Sequence, residues 1–225
     1  MIDNKLVLGY SPLGNGDSIA PFDQLFELKQ DITLSLDNVD AVVFWGGRDI
    51  NPSLYGEDSH PYNQASHDRD LSPRDAFEWK AMTYCIAHNI PIIGVCRGAQ
   101  LVCAKAGGTL IQHVEGHGNS HLVTTDSGEL FNVTSSHHQM MYPYEVEHEL
   151  LAWTHYAKSR RYEGAGSCDL SSLMKDKKEA EIVLFPRIRA LAIQGHPEWV
   201  QTPESSRFVS FCNNSIAEKL LQLVN

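Results

Sequence analysis

Short apolar runs separated by polar, glycine-rich turns dominate the chain and predict strands with intervening helices. Such runs, rich in β-branched residues, are typical of buried strands. We predict strands over residues 5–10, 40–45, 90–95, 109–114, 122–125, 130–135, 149–155, 181–185 and 189–194. Apolar positions at helical spacing predict helices over residues 74–88 and 99–106 and from residue 203 onward, with one or two helical turns over residues 22–29.

The order of these elements predicts one α/β domain over residues 1–225. Strand, helix and strand alternate through residues 40–95, which is typical of parallel strands. Two later pairs of strands, 122–125 with 130–135 and 181–185 with 189–194, are close in sequence and predict antiparallel hairpins. We therefore expect an open, mostly parallel sheet flanked by helices, with polar loops over residues 48–73 and 157–179.

Composition adds limits on partners and location. The 225 residues are 42% hydrophobic and carry a formal charge of −10, so we expect neither nucleic acid nor an anionic membrane as the main partner. The N-terminus lacks the form of a signal peptide, and no apolar run approaches the length that spans a membrane. The five cysteines are odd in number and scattered, which favours a reduced, cytoplasmic location.

The stretch after the strand at 90–95 carries the strongest chemical signal. Cys96 directly follows this apolar run, with Gly94 two residues before it, Gly98 two residues after it, and then the helical run 99–106. Strand, tight turn and helix around a nucleophile form the pattern of a nucleophile elbow. A cysteine at a helix N-terminus also lies at the positive end of the helix dipole, which favours the thiolate. A buried cysteine between glycines is the alternative, and a matching base elsewhere argues against it.

A candidate base follows the predicted strand 189–194. His196 and Glu198 are two residues apart in an extended stretch, so both side chains can point to the same side. The carboxylate would orient the imidazole and stabilise its protonated form. His-Pro-Glu alone would be weak evidence, since a surface turn explains it equally well. Together with the elbow, it predicts a catalytic set of Cys96, His196 and Glu198.

Histidines recur at four-residue intervals in His113, His117 and His121. On a helix this spacing could form a metal-binding face. Gly116 and Gly118 disfavour a helix there, and no cysteine pair accompanies the histidines as in common structural zinc sites. We therefore expect no metal site and no cofactor.

Several of these segments together resemble a known family. The segment 94–100, Gly-Val-Cys-Arg-Gly-Ala-Gln, with His196-Pro197-Glu198 downstream, resembles the class I glutamine amidotransferase superfamily. Within it, the segment 45–57 and the segment 136–139, Ser-His-His-Gln, are similar to the γ-glutamyl hydrolase branch, peptidase family C26. The resemblance spans roughly residues 40–199 and implies a flavodoxin-like sheet.

The resemblance also implies roles for further residues. It assigns the oxyanion hole to the amides of Gly47 and Arg97. Glycines just beyond a strand let the backbone approach a ligand closely, although a simple turn explains Gly46-Gly47 equally well. We expect substrate binding by six residues, the 136–139 segment holding the glutamyl amino and carboxylate groups: Gly46, Gln100, Ser136, His137, His138 and Gln139.

The function expected from this set is cysteine-dependent hydrolysis of a γ-glutamyl amide through a γ-glutamyl thioester, with a small γ-glutamyl compound as substrate. A second hypothesis is a glutaminase subunit that takes glutamine and delivers ammonia to a synthetase. Because the sequence ends at Asn225, that synthetase would be a separate chain. A third is a non-catalytic regulatory module on the same fold, disfavoured because candidates for all three catalytic roles are present. The sequence does not indicate an oligomeric state.

Overall fold

A nine-stranded sheet runs through the computed structural model, which describes residues 5–14, 19–65, 70–199 and 203–224. The strand order across this sheet is β2-β1-β3-β4-β13-β12-β10-β7-β8. Its strands are β1 Val7–Tyr10, β2 Leu28–Asp31, β3 Ala41–Phe44, β4 Ile92–Val95, β7 His121–Thr125, β8 Leu130–Val133, β10 Glu149–Thr154, β12 Ala180–Phe185 and β13 Ala190–Ile193. Two small antiparallel sheets pair β5 (Thr109–Ile111) with β9 (Met140–Tyr142) and β6 (His113–Val114) with β11 (Tyr162–Glu163).

The sheet has a parallel part and an antiparallel part. Strands β2, β1, β3, β4 and β13 are parallel neighbours. From β13 outward, β12, β10, β7 and β8 continue the sheet in antiparallel pairs. The predicted α/β fold, with a parallel sheet and added hairpins β7–β8 and β12–β13, is confirmed.

Helices cover both faces of the sheet. They are α1 Pro73–Ala87, α2 Arg97–Lys105, α3 Ser171–Met174 and α4 Pro203–Ser215, which continues as a π-helical turn Ile216–Leu220 and a 3-10 turn Leu221–Val224. Further 3-10 turns lie at Pro52–Tyr55, Ala165–Ser167 and Pro186–Ile188. No helix in the described part of the chain is both long enough and apolar enough to cross a lipid bilayer.

Alternate residues of the central strands point to opposite faces of the sheet, and each face has its own hydrophobic core. Ala41 and Val43 of β3 pack on the face that carries Phe208 of α4. Val42 and Phe44 pack on the opposite face, with α1 and α2. Every residue of β3 and β4 is buried, which is why these strands appear in the sequence as continuous apolar runs.

Some predicted elements differ in the structure. Of the one or two helical turns predicted over residues 22–29, one is present at Phe22–Phe26, where both phenylalanines are buried in the core, and edge strand β2 replaces the rest. The strand predicted over residues 109–114 is split into β5 and β6. The polar region 157–179 contains β11 and α3, and β9 was not predicted. The sequence places Thr202 as the capping residue of the last helix, and this residue lies outside the described residues.

Candidate active site

Cys96 occupies the sharp turn between β4 and α2. Its backbone has φ 52° and ψ −107°, and a positive φ is uncommon for any residue other than glycine. Such a conformation costs on the order of 1–3 kcal/mol and occurs mainly where function requires it. The side chain is nearly buried, at 5% exposure. These features are those of a nucleophile elbow.

The two glycines that flank Cys96 are required by close backbone contacts. A Cβ atom on Gly94 would lie 2.4 Å from the carbonyl oxygen of Gly98, in the first turn of α2. A Cβ atom on Gly98 would lie 1.9 Å from the carbonyl oxygen of Phe44, at the end of β3. Real Cβ atoms do not approach backbone this closely, so both positions need glycine. The glycine spacing around Cys96 in the sequence therefore reflects backbone contacts that leave no room for a side chain in this corner.

His196 follows β13, the strand that pairs with β4, and therefore lies at the same edge of the sheet as Cys96. Its Nδ1 lies 2.8 Å from Oε1 of Glu198, and its ring stacks on the indole of Trp199 with centroids 3.6 Å apart. The backbone is held as well: the His196 amide donates to the Thr134 carbonyl at 2.7 Å, and the Thr134 hydroxyl donates to the His196 carbonyl.

The environment of His196 favours the protonated ring. Burial alone would lower its pKa, but hydrogen bonds to Cys96 and Glu198, together with their charges, raise the pKa to about 9. His196 therefore carries a positive charge near neutral pH. A cation beside a cysteine stabilises the thiolate, which is the nucleophilic form.

The turn after β3 brings Gly46 and Gly47 beside the elbow. A Cβ atom on Gly46 would lie 3.0 Å from Cε1 of His196 and 3.5 Å from Cβ of Cys96. Gly47 has φ +150°, a value that favours glycine, and it lines a cleft together with Cys96. Arg97 is the first residue of α2, so its amide has no acceptor within the helix.

The cleft above Cys96 has a volume of about 210 Å³. It brings together most residues predicted for substrate binding, along with three that were not predicted, Arg48, Asp49 and Gln64. The residues lining it are Gly47, Arg48, Asp49, Gln64, Cys96, Gln100, Ser136, His137, His138 and Gln139. Gly46 lies at its edge, beside Cys96 and His196.

The 136–139 segment contributes to the cleft in different ways at each position. Ser136 is exposed, and Nε2 of half-buried His138 lies 3.0 Å from Oδ2 of Asp49. Gln100 donates to the Gln139 carbonyl at 3.1 Å and so holds the segment against α2. The Gln139 carboxamide is buried, and neither its oxygen nor its nitrogen has a hydrogen-bond partner among the described residues.

His137 lines the cleft and also contacts residues behind it. Its ring is tilted against that of His117, with centroids 4.8 Å apart, and its Nδ1 donates to the Gln139 carbonyl at 2.8 Å. The His137 ring therefore contacts an interior cluster. The predicted direct contact between this ring and a substrate stays a prediction.

Sequence reasoning missed a buried charged cluster below the elbow. Arg97 forms ion pairs with Asp75 and Glu78 of α1, and all three side chains are almost fully buried. Arg74 donates to Glu78 at 2.9 Å and to the carbonyls of Gly46 at 3.0 Å and Trp45 at 2.7 Å. The cluster ties α1 and α2 to the Gly46-Gly47 turn. In the sequence, the i, i+4 spacing of Arg74 and Glu78 resembles an ordinary exposed pair, so no local signal marks it.

The three regularly spaced histidines are separated in the structure. His117 and His121 are both buried, with ring centroids 4.9 Å apart. The His113 ring instead stacks on that of His60, with centroids 5.5 Å apart, and its centroid lies 5.7 Å from that of the His138 ring. Because the segment is not a helix, the four-residue spacing does not place the three side chains on one face.

Comparisons with known proteins agree with this architecture. The structure superposes on a glutamine amidotransferase from Thermotoga maritima with a TM-score of 0.55 and 13% identity, covering 97% of this chain and 89% of that one. It superposes on PurLQS from the same organism with a TM-score of 0.58 and 13% identity, covering 95% and 100%. At these identities the likeness shows the fold alone. The fold and its elbow are those of the class I glutamine amidotransferase-like superfamily.

Sequence similarity identifies the family to which the protein belongs within this superfamily. The Peptidase C26 family model matches residues 24–142, more than half of the chain, so the protein belongs to the Peptidase C26 family. A glutamine amidotransferase-like protein, the YvdE homolog of Lactococcus lactis subsp. cremoris, is 38% identical over 103 residues, covering 46% of this chain and 50% of the relative. The matches span 24% to 50% of the length of four such curated relatives.

Proposed function

We propose that the protein hydrolyses a γ-glutamyl amide through a covalent thioester on Cys96. The observation that carries the proposal is the chain of contacts from Cys96, which lines a small cleft, to His196 and on to Glu198. A strained nucleophile turn, an adjacent base and an acid that orients this base are the components of acyl transfer by covalent catalysis.

In the proposed reaction, the Cys96 thiolate attacks the γ-carbonyl carbon. Gly47 and Arg97 supply amide donors for the oxyanion that develops. The His196 imidazolium then gives its proton to the leaving amine as the C–N bond breaks and the thioester forms. Neutral His196 next takes a proton from water, whose oxygen attacks the thioester. Glutamate leaves, and the thiolate and the imidazolium are restored.

The lining of the cleft supports a small, polar acyl group. Its volume of about 210 Å³ is below the range of roughly 300–1,000 Å³ that suits drug-sized ligands. The Gln139 carboxamide and the Ser136 hydroxyl offer both donors and acceptors. Asp49 supplies a carboxylate that can bind an ammonium group. Oδ2 of this carboxylate lies 3.0 Å from Nε2 of His138. We assign this side of the cleft, including Asp49, to the amino and carboxylate groups of the glutamyl unit, and the rest of residues 48–65 to the amine half.

A second candidate is glutamine hydrolysis that supplies ammonia to a synthetase on another chain. The relatives from Lactococcus lactis favour it, since they are described as glutamine amidotransferase-like proteins. Cys96, His196 and Glu198 would play the same roles, and only the leaving group and its destination would differ.

Glutamate release by the isolated chain separates these candidates. Glutamine and a panel of γ-glutamyl amines with small aliphatic amine halves are compared at equal concentration, without nucleotide or a second chain. The proposal expects turnover of at least one γ-glutamyl amine at a rate well above that of glutamine. Turnover of glutamine alone, rising when a synthetase is added, would favour the second candidate. A folded chain that is silent on all substrates would favour a non-catalytic role.

A further inference from the structure

Five ionisable side chains meet in the interior behind the 136–139 segment, on three separate stretches of the chain. His117 and His121 come from the stretch that leads into β7, His137 from the loop after β8, and Glu179 and Glu181 from the start of β12. Each residue is less than one-tenth exposed. We call these five residues the interior histidine cluster.

Three members present atoms that suit metal coordination. His117, His137 and Glu181 each offer one donor atom, and these atoms all lie within 4.8 Å of one another. Nε2 of His137 and Oε2 of Glu181 are buried without a hydrogen-bond partner among the described residues, whereas the two ring nitrogens of His117 lie 3.2 and 3.4 Å from the carboxylates of Glu179 and Glu181. Leaving buried polar atoms unpaired is costly, and a bound cation would satisfy Nε2 of His137 and Oε2 of Glu181.

His137 is arranged as a neutral ligand. Because a carbonyl oxygen can only accept, the contact of 2.8 Å with Gln139 fixes the proton on Nδ1 and leaves the lone pair on Nε2. A histidine that binds a metal almost always donates its other N–H to a carbonyl or carboxylate in this way.

His117 and Glu181 have similar supporting partners. Nε2 of His117 lies 3.2 Å from Oε2 of Glu179, which leaves Nδ1 on the side of Glu181, 3.4 Å from its Oε1. Oε1 of Glu181 lies 2.7 Å from Nε2 of His121 and accepts from the Thr154 hydroxyl at 3.1 Å, which leaves Oε2 for a ligand.

We propose that His117 Nδ1, His137 Nε2 and Glu181 Oε2 bind a divalent transition-metal ion of the zinc type. Two imidazoles and one carboxylate, without a thiolate, form a donor set that suits Zn²⁺. Metal–ligand distances of about 2.0–2.2 Å require the donors to move closer than 4.8 Å, by roughly 1 Å. The inference departs from the sequence expectation of no metal, because His137 and Glu181 are distant from His117 in sequence.

Coordination through Nδ1 would leave Nε2–H of His117 directed at Glu179, whose Oε2 lies 3.2 Å away. The ion would join the 136–139 segment to the stretch before β7 and to β12, and so fix one wall of the cleft.

Metal analysis of the purified chain tests the site without any assay of activity. The chain is prepared without a polyhistidine tag, its metal content is measured, and the stripped protein is titrated with Zn²⁺ by calorimetry and with Co²⁺ by visible absorption. We expect one ion per chain. His137→Gln and Glu181→Gln should lower the affinity by about tenfold or more. His113→Gln is the matched control, because His113 lies outside the cluster and should keep the affinity of the unchanged chain.

Metal binding by the chain without substitutions tests the proposal independently of the variants. If that chain takes up no Zn²⁺ or Co²⁺ at one ion per chain, the cluster is a protonated histidine–carboxylate network and the proposal is overturned. Equal loss in His113→Gln and His137→Gln would indicate adventitious surface binding and would also overturn it. Should Glu181→Gln fail to fold in chelator, by its circular dichroism melt, the His137→Gln comparison carries the test.

Discussion

Nδ1 of His196 lies 2.8 Å from Oε1 of Glu198, and the same imidazole stacks almost parallel on the indole of Trp199, with 4° between the planes. A carboxylate at the ring edge and an aromatic face against the ring both stabilise a positive charge. This pairing explains how a nearly buried histidine retains its proton near neutral pH.

Glu198→Gln should shift the pH dependence of activity. Without the carboxylate, the pKa of His196 should fall from about 9, so the alkaline limb of kcat/KM should move to lower pH. We also expect kcat to drop by about tenfold or more, because a glutamine cannot stabilise the imidazolium. Glu149→Gln, at an exposed site, is the control. An unchanged alkaline limb in Glu198→Gln would contradict the role given to this carboxylate.

The same raised pKa affects stability. Because the folded-state pKa of His196 lies above the unfolded value of about 6.5, protonation stabilises the fold fully below about pH 6.5, and this contribution is lost as the pH rises through about 9. Thermal melts between pH 6 and pH 10 should therefore show a steeper alkaline decline for the unchanged chain than for His196→Gln. Parallel declines would indicate that the ring is not charged in the folded state.

Gly46→Ala should impair catalysis while the chain still folds. The new methyl group would lie 3.0 Å from Cε1 of His196 and 3.5 Å from Cβ of Cys96, so the imidazole must shift away from the thiol. Small misplacements of reacting groups can cost roughly 10²-fold in rate. Gly118→Ala is a matched control, since no atom lies within 4 Å of a Cβ there. Equal activities of the two variants, with similar melts, would refute the packing argument.

Arg74→Met should weaken activity through the Gly46-Gly47 turn. Arg74 donates to the carbonyls of Trp45 and Gly46, and its loss frees the turn that carries the Gly47 amide. If that amide binds the oxyanion, the loss should lower kcat by up to about 10²-fold with a smaller change in KM. The exposed Arg207→Met serves as control. A change in KM alone would assign Arg74 to substrate binding instead.

Local patterns explain why much of the fold could be predicted. The elbow strand, the turn and α2 are contiguous, and the glycines at 94 and 98 are dictated by backbone contacts within a few residues or with the adjacent strand. The hairpins β7–β8 and β12–β13 are also local. Edge strand β2 was missed because it is polar and mostly exposed, so it lacks the alternation that marks a half-buried strand.

Long-range contacts explain what could not be predicted. The contact between Arg74 and the Gly46 carbonyl spans 28 residues, and that between His121 and Glu181 spans 60. No sequence spacing indicates such pairs. The contact of the His137 ring with that of His117, 20 residues earlier, is another long-range pair that no local pattern indicates.

Alkylation rates should distinguish Cys96 from the other cysteines. Burial raises the pKa of Cys85 and of Cys103 to about 12, and it raises that of Cys212 well above its usual range, so these thiols should react slowly. Exposed Cys168 is an internal reference. Iodoacetamide near neutral pH should modify Cys96 before the three buried thiols, and His196→Gln should slow Cys96 without affecting Cys168. Equal slowing at both sites would contradict activation by His196.

Detection of the acyl-enzyme is the most direct test of covalent catalysis by Cys96. The chain is mixed with a γ-glutamyl amine that it turns over, quenched in acid within the first turnovers, and digested for peptide mass analysis, with Cys168→Ser as a control that keeps the nucleophile. We predict a γ-glutamyl adduct on the peptide that contains Cys96. The Cys96→Ala variant should show no adduct and should lose glutamate release. Undiminished glutamate release by folded Cys96→Ala, or an adduct on another cysteine that forms and decays at the rate of turnover, would contradict covalent catalysis by Cys96.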